Sequence, residues 1–173
     1  MSSIRIQKVG ITNVGTEIIV NAANNGLWHG GGVCGVIFRA AGASQLATAC
    51  DQIGHCDTGS AVITPAFNLN AKYIVHAVGP RWVDGNHREP QQLYGAYKKS
   101  LELSKEYGCH SIGFPLISAG IFGYPMTQAW RKALQACHDF ICANADYSID
   151  IVFAVIDDLV YDVGMQTMKD LGI

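Results

Sequence analysis

Short apolar runs, each closed by a small, polar or turn-forming residue and separated by stretches of helical spacing, constrain this chain more than any other feature. EIIVNA (17–22), SAVIT (60–64), YIVHAV (73–78), SIGFP (111–115) and IDIVFAVI (149–156) read as buried strands, while IRIQKV (4–9) alternates like a half-exposed one. Between them, residues 33–41 and 44–53 have helical spacing broken at Gly42. Residues 91–107 put Leu93, Tyr97, Leu101 and Leu103 on or near one face, with Gly108 just past the end. Pro125 suits the first turn of a further helix running to about Ala143, and residues 160–170 form the last. Strands alternating with helices imply a largely parallel sheet covered on both faces. The expected fold class is therefore α/β, and with no repeat, linker or low-complexity segment the 173 residues are expected to form one domain (1–173).

Composition supports a packed globule: 49% of residues are hydrophobic and 15% charged. With a net charge of −2, no broad electrostatic attraction to a nucleic-acid backbone is expected, since such binders usually carry a basic patch, so no nucleic-acid partner is expected. An anionic ligand has to be held by local geometry. No apolar run reaches the ~20 residues that span a bilayer and no basic-then-apolar leader opens the chain, so no membrane partner and a cytoplasmic location are expected. The six cysteines lack CxxC spacing. His55 beside Cys56 and His138 beside Cys137 leave a zinc reading open, but the spacing favours reduced thiols and no metal.

Two loops carry the chemistry. NAANNGLWHGGGVCG (21–35) follows a buried strand and leads into a helix; its glycine N–H groups, with those of the helix start, make an anion-binding nest. SAGIFG (118–123) likewise lies between a strand and a helix. Two such loops at adjacent strand ends suit the two halves of a diphosphate, in the crevice where open α/β sheets place ligands. Either is also explained as a tight strand-to-helix turn. Neither matches the GxGxxG fingerprint or a Walker A loop, which argues against nicotinamide dehydrogenases and phosphate-loop ATPases.

NAAN followed by HGGGV, RAAG at 39–42, TGSAVITPAFNL from Thr58, YIVHAVGP at 73–80 and FPLISAGIFGYP at 114–125 together resemble the macro domain family, in family order and over nearly the whole chain. NAAN, HGGG and SAGIFG are most similar to coronaviral macro domains. RAAG, ITPAFNL, YIVHAVGP and GYP are similar to the bacterial and mitochondrial ADP-ribosyl-hydrolase branch. The resemblance implies a three-layer α/β/α fold, with a mixed, mostly parallel central sheet of about six strands flanked by helices. It implies ADP-ribose or an ADP-ribosylated protein as partner, no cofactor, and a monomer. Gly31, Gly32 and Val33 on one side, and Ser118, Ala119, Gly120, Ile121 and Phe122 on the other, are then expected to wrap the diphosphate, with Phe122 partly exposed against the proximal ribose. Asn21, Ala22 and the backbone of Ile11 complete the ligand-binding set, with Ile156 at the adenine. Asn24 is expected to hydrogen-bond the proximal ribose, since its amide donates and accepts at once. His29 suits polarising a water, because an imidazole side chain can change charge near neutral pH, or is a plain exposed loop histidine; His76, inside its strand, reads as a satisfied core histidine.

Three positions depart from the family pattern. Gly10, in VGIT, stands where the family has an Asp that accepts from the adenine amino group, a loss of about 1–3 kcal/mol. Cys34, in GVCG, stands where the hydrolase branch has an Asp that places water. At a helix N-terminus it is a candidate nucleophile paired with His29, or a small buried loop residue. The coronaviral branch lacks that Asp and hydrolyses nonetheless. Ile156 replaces an aromatic at the adenine. The resemblance thus implies hydrolysis of mono-ADP-ribosyl esters, on Asp or Glu side chains or in O-acetyl-ADP-ribose, with Asn24, His29 and Cys34 as candidate catalytic residues. The alternatives are a non-catalytic reader, or a binder of another nucleotide given Gly10 and Cys34.

Overall fold

A computed structural model describes residues 1–173. Six strands form one sheet: β1 (Ser3–Lys8), β2 (Ile18–Ala22), β3 (Ala61–Pro65), β4 (Tyr73–Ala77), β5 (Ser111–Phe114) and β6 (Asp150–Val155). Their order is β1-β6-β5-β2-β4-β3, parallel throughout except for β3, which runs antiparallel to β4. The exception follows from the short connection between Pro65 and Tyr73, since a parallel crossover needs a dozen or more residues.

Period-two alternation assigns each strand residue to a layer. Ile18, Val20, Val75, Ile112, Phe114, Ile151 and Phe153 point to one face. There they meet Leu93 and Tyr97 of α3 (Glu89–Glu106) and Trp130 and Leu134 of α4 (Met126–Ala143), with α5 (Asp158–Leu171) packed alongside. Ile19, Ile74, Val152 and Ala154 point to the other face, against Ile37 and Phe38 of α1 (Gly32–Ala41) and Leu46 and Cys50 of α2 (Ala43–Ile53). The result is the three-layer α/β/α arrangement expected from sequence. Boundaries move by a residue or two, most at the starts of α3 and α5. Asp157 caps α5 by accepting from Val160 N, which starts the helix two residues before the apolar spacing begins. The short 3-10 turn Ile11–Asn13, closed by Asn13 N onto Gly10 O, has no apolar period to announce it.

Five cysteines are buried, Cys142 is exposed, and none is bridged. Burial pushes Cys50 and Cys56 up to about 11, so both are neutral thiols at neutral pH. No single helix is long and apolar enough to cross a membrane.

Candidate functional site

The carboxyl ends of β2, β4 and β5 open into a cleft of about 490 Å³ between the two glycine loops. One wall is Gly30–Cys34 and the other is Ile117, Ser118, Gly120, Ile121 and Phe122, with Ala22, Ala23 and Asn24 at the floor and Gly79 and Arg81 at one end. No carboxylate lines it. Gly31 caps α1 with no side-chain hydrogen bond, and the first helical bond is from Gly35 N to Gly31 O at 3.2 Å. The N–H groups of Gly32, Val33 and Cys34 therefore have no partner within the chain, at the positive end of the helix dipole. Gly32 has φ +55, a conformation that strains other residues.

The second loop is built the same way. Gly123 N bonds Gly120 O and Tyr124 N bonds Ser118 O, which leaves the N–H groups from Ser118 to Phe122 unpartnered. Below it, the buried hydroxyl of Tyr97 donates to Pro115 O and accepts from Ile117 N, pinning the end of β5 to α3. Ser118 takes φ +67, and its Oγ and Asn21 Oδ1 are the two buried side-chain polar atoms without a partner. Leaving such an atom unpaired costs about 1–3 kcal/mol, and both sit at or next to residues that line the cleft. Gly79 is the counterpart of Ser118: a Cβ there would lie 2.2 Å from Ser118 Oγ and 2.5 Å from Ile117 Cγ2.

Beneath the floor, His76 is wholly buried and its pKa is pushed down to about 4 by burial. Asn21 Nδ2 donates to His76 Nδ1 at 3.0 Å, so the proton sits on Nε2, which donates to Thr64 Oγ1 at 3.0 Å. The Thr64 hydroxyl in turn donates to Pro65 O at 3.1 Å. His76 is a satisfied core histidine, as its strand position implied.

Of the residues singled out by sequence, Ala22, Asn24, Gly31, Gly32, Val33, Cys34, Ser118, Gly120, Ile121 and Phe122 come together at the cleft. The others are placed elsewhere. His29 does not line it: its exposed ring stacks on Phe38 of α1, centroids 4.8 Å apart and 9° from parallel. The Cys34 thiol donates to Trp28 O and accepts from Gly30 N and Asn21 Nδ2, so no His29–Cys34 pair is formed. Asn21 is buried under the floor, and Ala119 is half-buried against the core. The Ile11 side chain is buried in the α1/α2 layer, leaving only its backbone for a ligand, and Ile156 is 78% exposed beyond the end of β6. Asn24 reaches the cleft but is already tied to the loop, its Oδ1 accepting from Trp28 N and its Nδ2 donating to Trp28 O.

Arg81 was not singled out by sequence. It follows the Gly79–Pro80 stop of β4, and that strand end beside β2 was the available signal. Its loop is held by Glu89, whose carboxylate accepts from the N–H groups of Val83, Asp84, Gly85 and His87. Burial would raise the Glu89 pKa, but these bonds outweigh it and hold it at about 2. Asp84, His87 and Glu89 cluster like metal ligands, yet both Glu89 oxygens are taken by these hydrogen bonds, and Asp84 Oδ1 is shared by Asn86 N and His87 Nδ1.

The Macro domain family model matches residues 20–133. An O-acetyl-ADP-ribose deacetylase of Escherichia fergusonii is 46% identical, with 83% of each chain covered. The macrodomain of Oceanobacillus iheyensis with ADP has a TM-score of 0.91 and 35% identity, over 96% of this chain and 90% of that one. The Trypanosoma brucei macrodomain in complex with ADP-ribose has a TM-score of 0.87 and 32% identity, over 94% of this chain and 68% of that one.

Proposed function

The chain belongs to the macro domain family, and from that premise we propose that it binds ADP-ribose and hydrolyses esters of it, on ADP-ribosylated Asp or Glu or in O-acetyl-ADP-ribose. The observation that carries this reading is the pair of facing loops with unpartnered N–H groups, one at a helix N-terminus, around a cleft without a carboxylate. Such a cleft suits a diphosphate and offers preorganised donors for charge that develops in a transition state. A relative named for O-acetyl-ADP-ribose deacetylation and similar structures holding ADP and ADP-ribose support it.

In this reading the diphosphate lies over Gly31–Val33 and Ser118–Phe122. The adenine points toward Ile11 and Ile156 at the β1/β6 side, and the ribose points toward Asn24 and Phe122. Asn24 holds the ribose and the attacking water with the amide hydrogen that Trp28 leaves free. Cys34, in contact with the loop backbone, sets the shape of that loop. His29 has to leave Phe38 to take part. The chain acts as a cytoplasmic monomer of one domain, without nucleic acid or membrane, consistent with its charge of −2 and unbridged cysteines.

A second reading, a reader that binds ADP-ribose and does no chemistry, is favoured by the Cys34 thiol being turned onto Trp28 O and by His29 lying off the cleft. Calorimetry with ADP-ribose, ADP and AMP, followed by O-acetyl-ADP-ribose turnover, separates the two. Hydrolysis requires micromolar binding, turnover, and loss of most turnover in Asn24→Ala with the fold intact. Binding without turnover leaves the reader, and no heat with ADP-ribose rejects both.

A further inference from the structure

Arg81 is the one charged side chain that lines the cleft. Its guanidinium carbon lies 4.6 Å from the centroid of the Phe122 ring, and it takes part in none of the ion pairs of the chain. Stacking on a half-buried aromatic holds a cation in place while leaving its N–H edges free to bind. The base beneath it is rigid: four backbone N–H groups converge on Glu89, and Trp82 N bonds Phe122 O at 2.8 Å. An unpaired guanidinium held this firmly at the mouth of an otherwise uncharged cleft is a receptor for an anionic group.

Its place in the sheet says which group. Arg81 follows β4, across β2 from β5, β6 and β1, so it enters the cleft at the end opposite Ile11 and Ile156. The geometry points to Arg81 as the residue that binds the carboxylate of the acid released from the ribose. This rests on the ADP-ribosyl ester reading above. In that reaction water adds its oxygen to the acyl carbon, and the bond from that carbon to the ribose oxygen breaks with its electron pair going to the ribose oxygen. The ribose oxygen takes a proton from the water, and the new acid gives its remaining proton to solvent. One negative charge thus appears on the acyl side, where a bidentate guanidinium meets two carboxylate oxygens. Phe122 then serves both partners, with one face to the ribose and the other to Arg81.

The test pairs turnover with a readout that does not need turnover. Sodium acetate is titrated into isotopically labelled protein; the Arg81 Nε–H resonance is followed in wild type, and the Phe122 amide resonance in wild type, Arg81→Gln and Arg81→Lys. The proposal expects saturable shifts in wild type, weaker ones in Arg81→Lys, and none at Phe122 in Arg81→Gln. Shifts that do not saturate, or that persist in Arg81→Gln, overturn it even if the chain proves to be a reader. In the turnover arm, Arg81→Gln lowers kcat/KM for O-acetyl-ADP-ribose about ten- to hundredfold, as loss of a charged hydrogen bond does, and leaves ADP-ribose affinity within about twofold. Unchanged turnover, or an equal loss of ADP-ribose affinity, overturns it; the latter would assign Arg81 to the diphosphate. Arg81 is exposed and carries no core contact, so these variants fold.

Discussion

Gly79→Ala tests whether the cleft wall is set by contact between two distant strand ends. The added methyl carbon would sit 2.2 Å from Ser118 Oγ and 2.5 Å from Ile117 Cγ2, where ordinary contacts begin at about 3.4 Å. Neither neighbour moves freely. Ile117 is anchored through its N–H to the Tyr97 hydroxyl, and Ser118 is buried at φ +67. The second loop therefore has to retreat by roughly 1 Å, at a cost of about 1–3 kcal/mol for overpacking. For a chain of this length that lowers Tm by about 2–12 °C, since each kcal/mol moves Tm by about 2–4 °C. The displacement also carries the N–H groups of residues 118–122 away from the first loop. An error of about 1 Å in a binding geometry costs up to a hundredfold, so ADP-ribose affinity falls by tenfold or more. Thermal unfolding and calorimetry measure the two effects. Adding Ser118→Ala removes the closest atom and should recover part of the stability, though not all, because Ile117 remains. As a control, a methyl at Gly31 meets nothing within 4 Å of the chain and leaves Tm unchanged. A Gly79→Ala protein with wild-type Tm and affinity would refute the argument.

Gly10→Asp has room, because a Cβ there meets only Asn13 Nδ2 at 3.6 Å. It should tighten ADP-ribose binding about tenfold or more by calorimetry, with little change in Tm, by restoring an acceptor for the adenine amino group. Glu89, held at about 2, contributes stability that is present above its ordinary pKa of 4.5 and lost as pH falls from there through about 2. Unfolding followed from pH 6 to 2 should show this loss, and Glu89→Gln, already less stable at pH 7, should show a shallower acid slope. His76, depressed from 6.5 to about 4, favours the fold above pH 6.5, and that contribution disappears as pH falls toward 4 because the unfolded chain takes up the proton first. Its size is about 3 kcal/mol by linkage. Denaturant unfolding between pH 7 and 4.5 measures the loss, and the His76 ring resonances should not titrate above about pH 5.

The layers of this protein were legible in its sequence because burial on both faces of a parallel sheet writes continuous apolar runs, and a strand assigns alternate residues to opposite faces. Ile18 and Val20 against Ile19, and Ile151 and Phe153 against Val152, follow from that rule alone. The two glycine loops were legible because each sits between a strand and a helix, where free N–H groups gather whatever else surrounds them. Side-chain direction in those loops was not, since a loop has no period and its side chains settle on whatever tertiary neighbour is near. His29 lies on Phe38, nine residues on, instead of in the cleft. Arg81 is brought into the cleft by Phe122, and Gly79 is required by Ser118, because β5 lies next to β2 and β2 next to β4. The sequence by itself determined the strands, the layers and the two loops, through local patterns of burial and backbone freedom. Only the tertiary structure decided the strand order and which charge faces the ligand, because both depend on contacts between segments far apart in the chain.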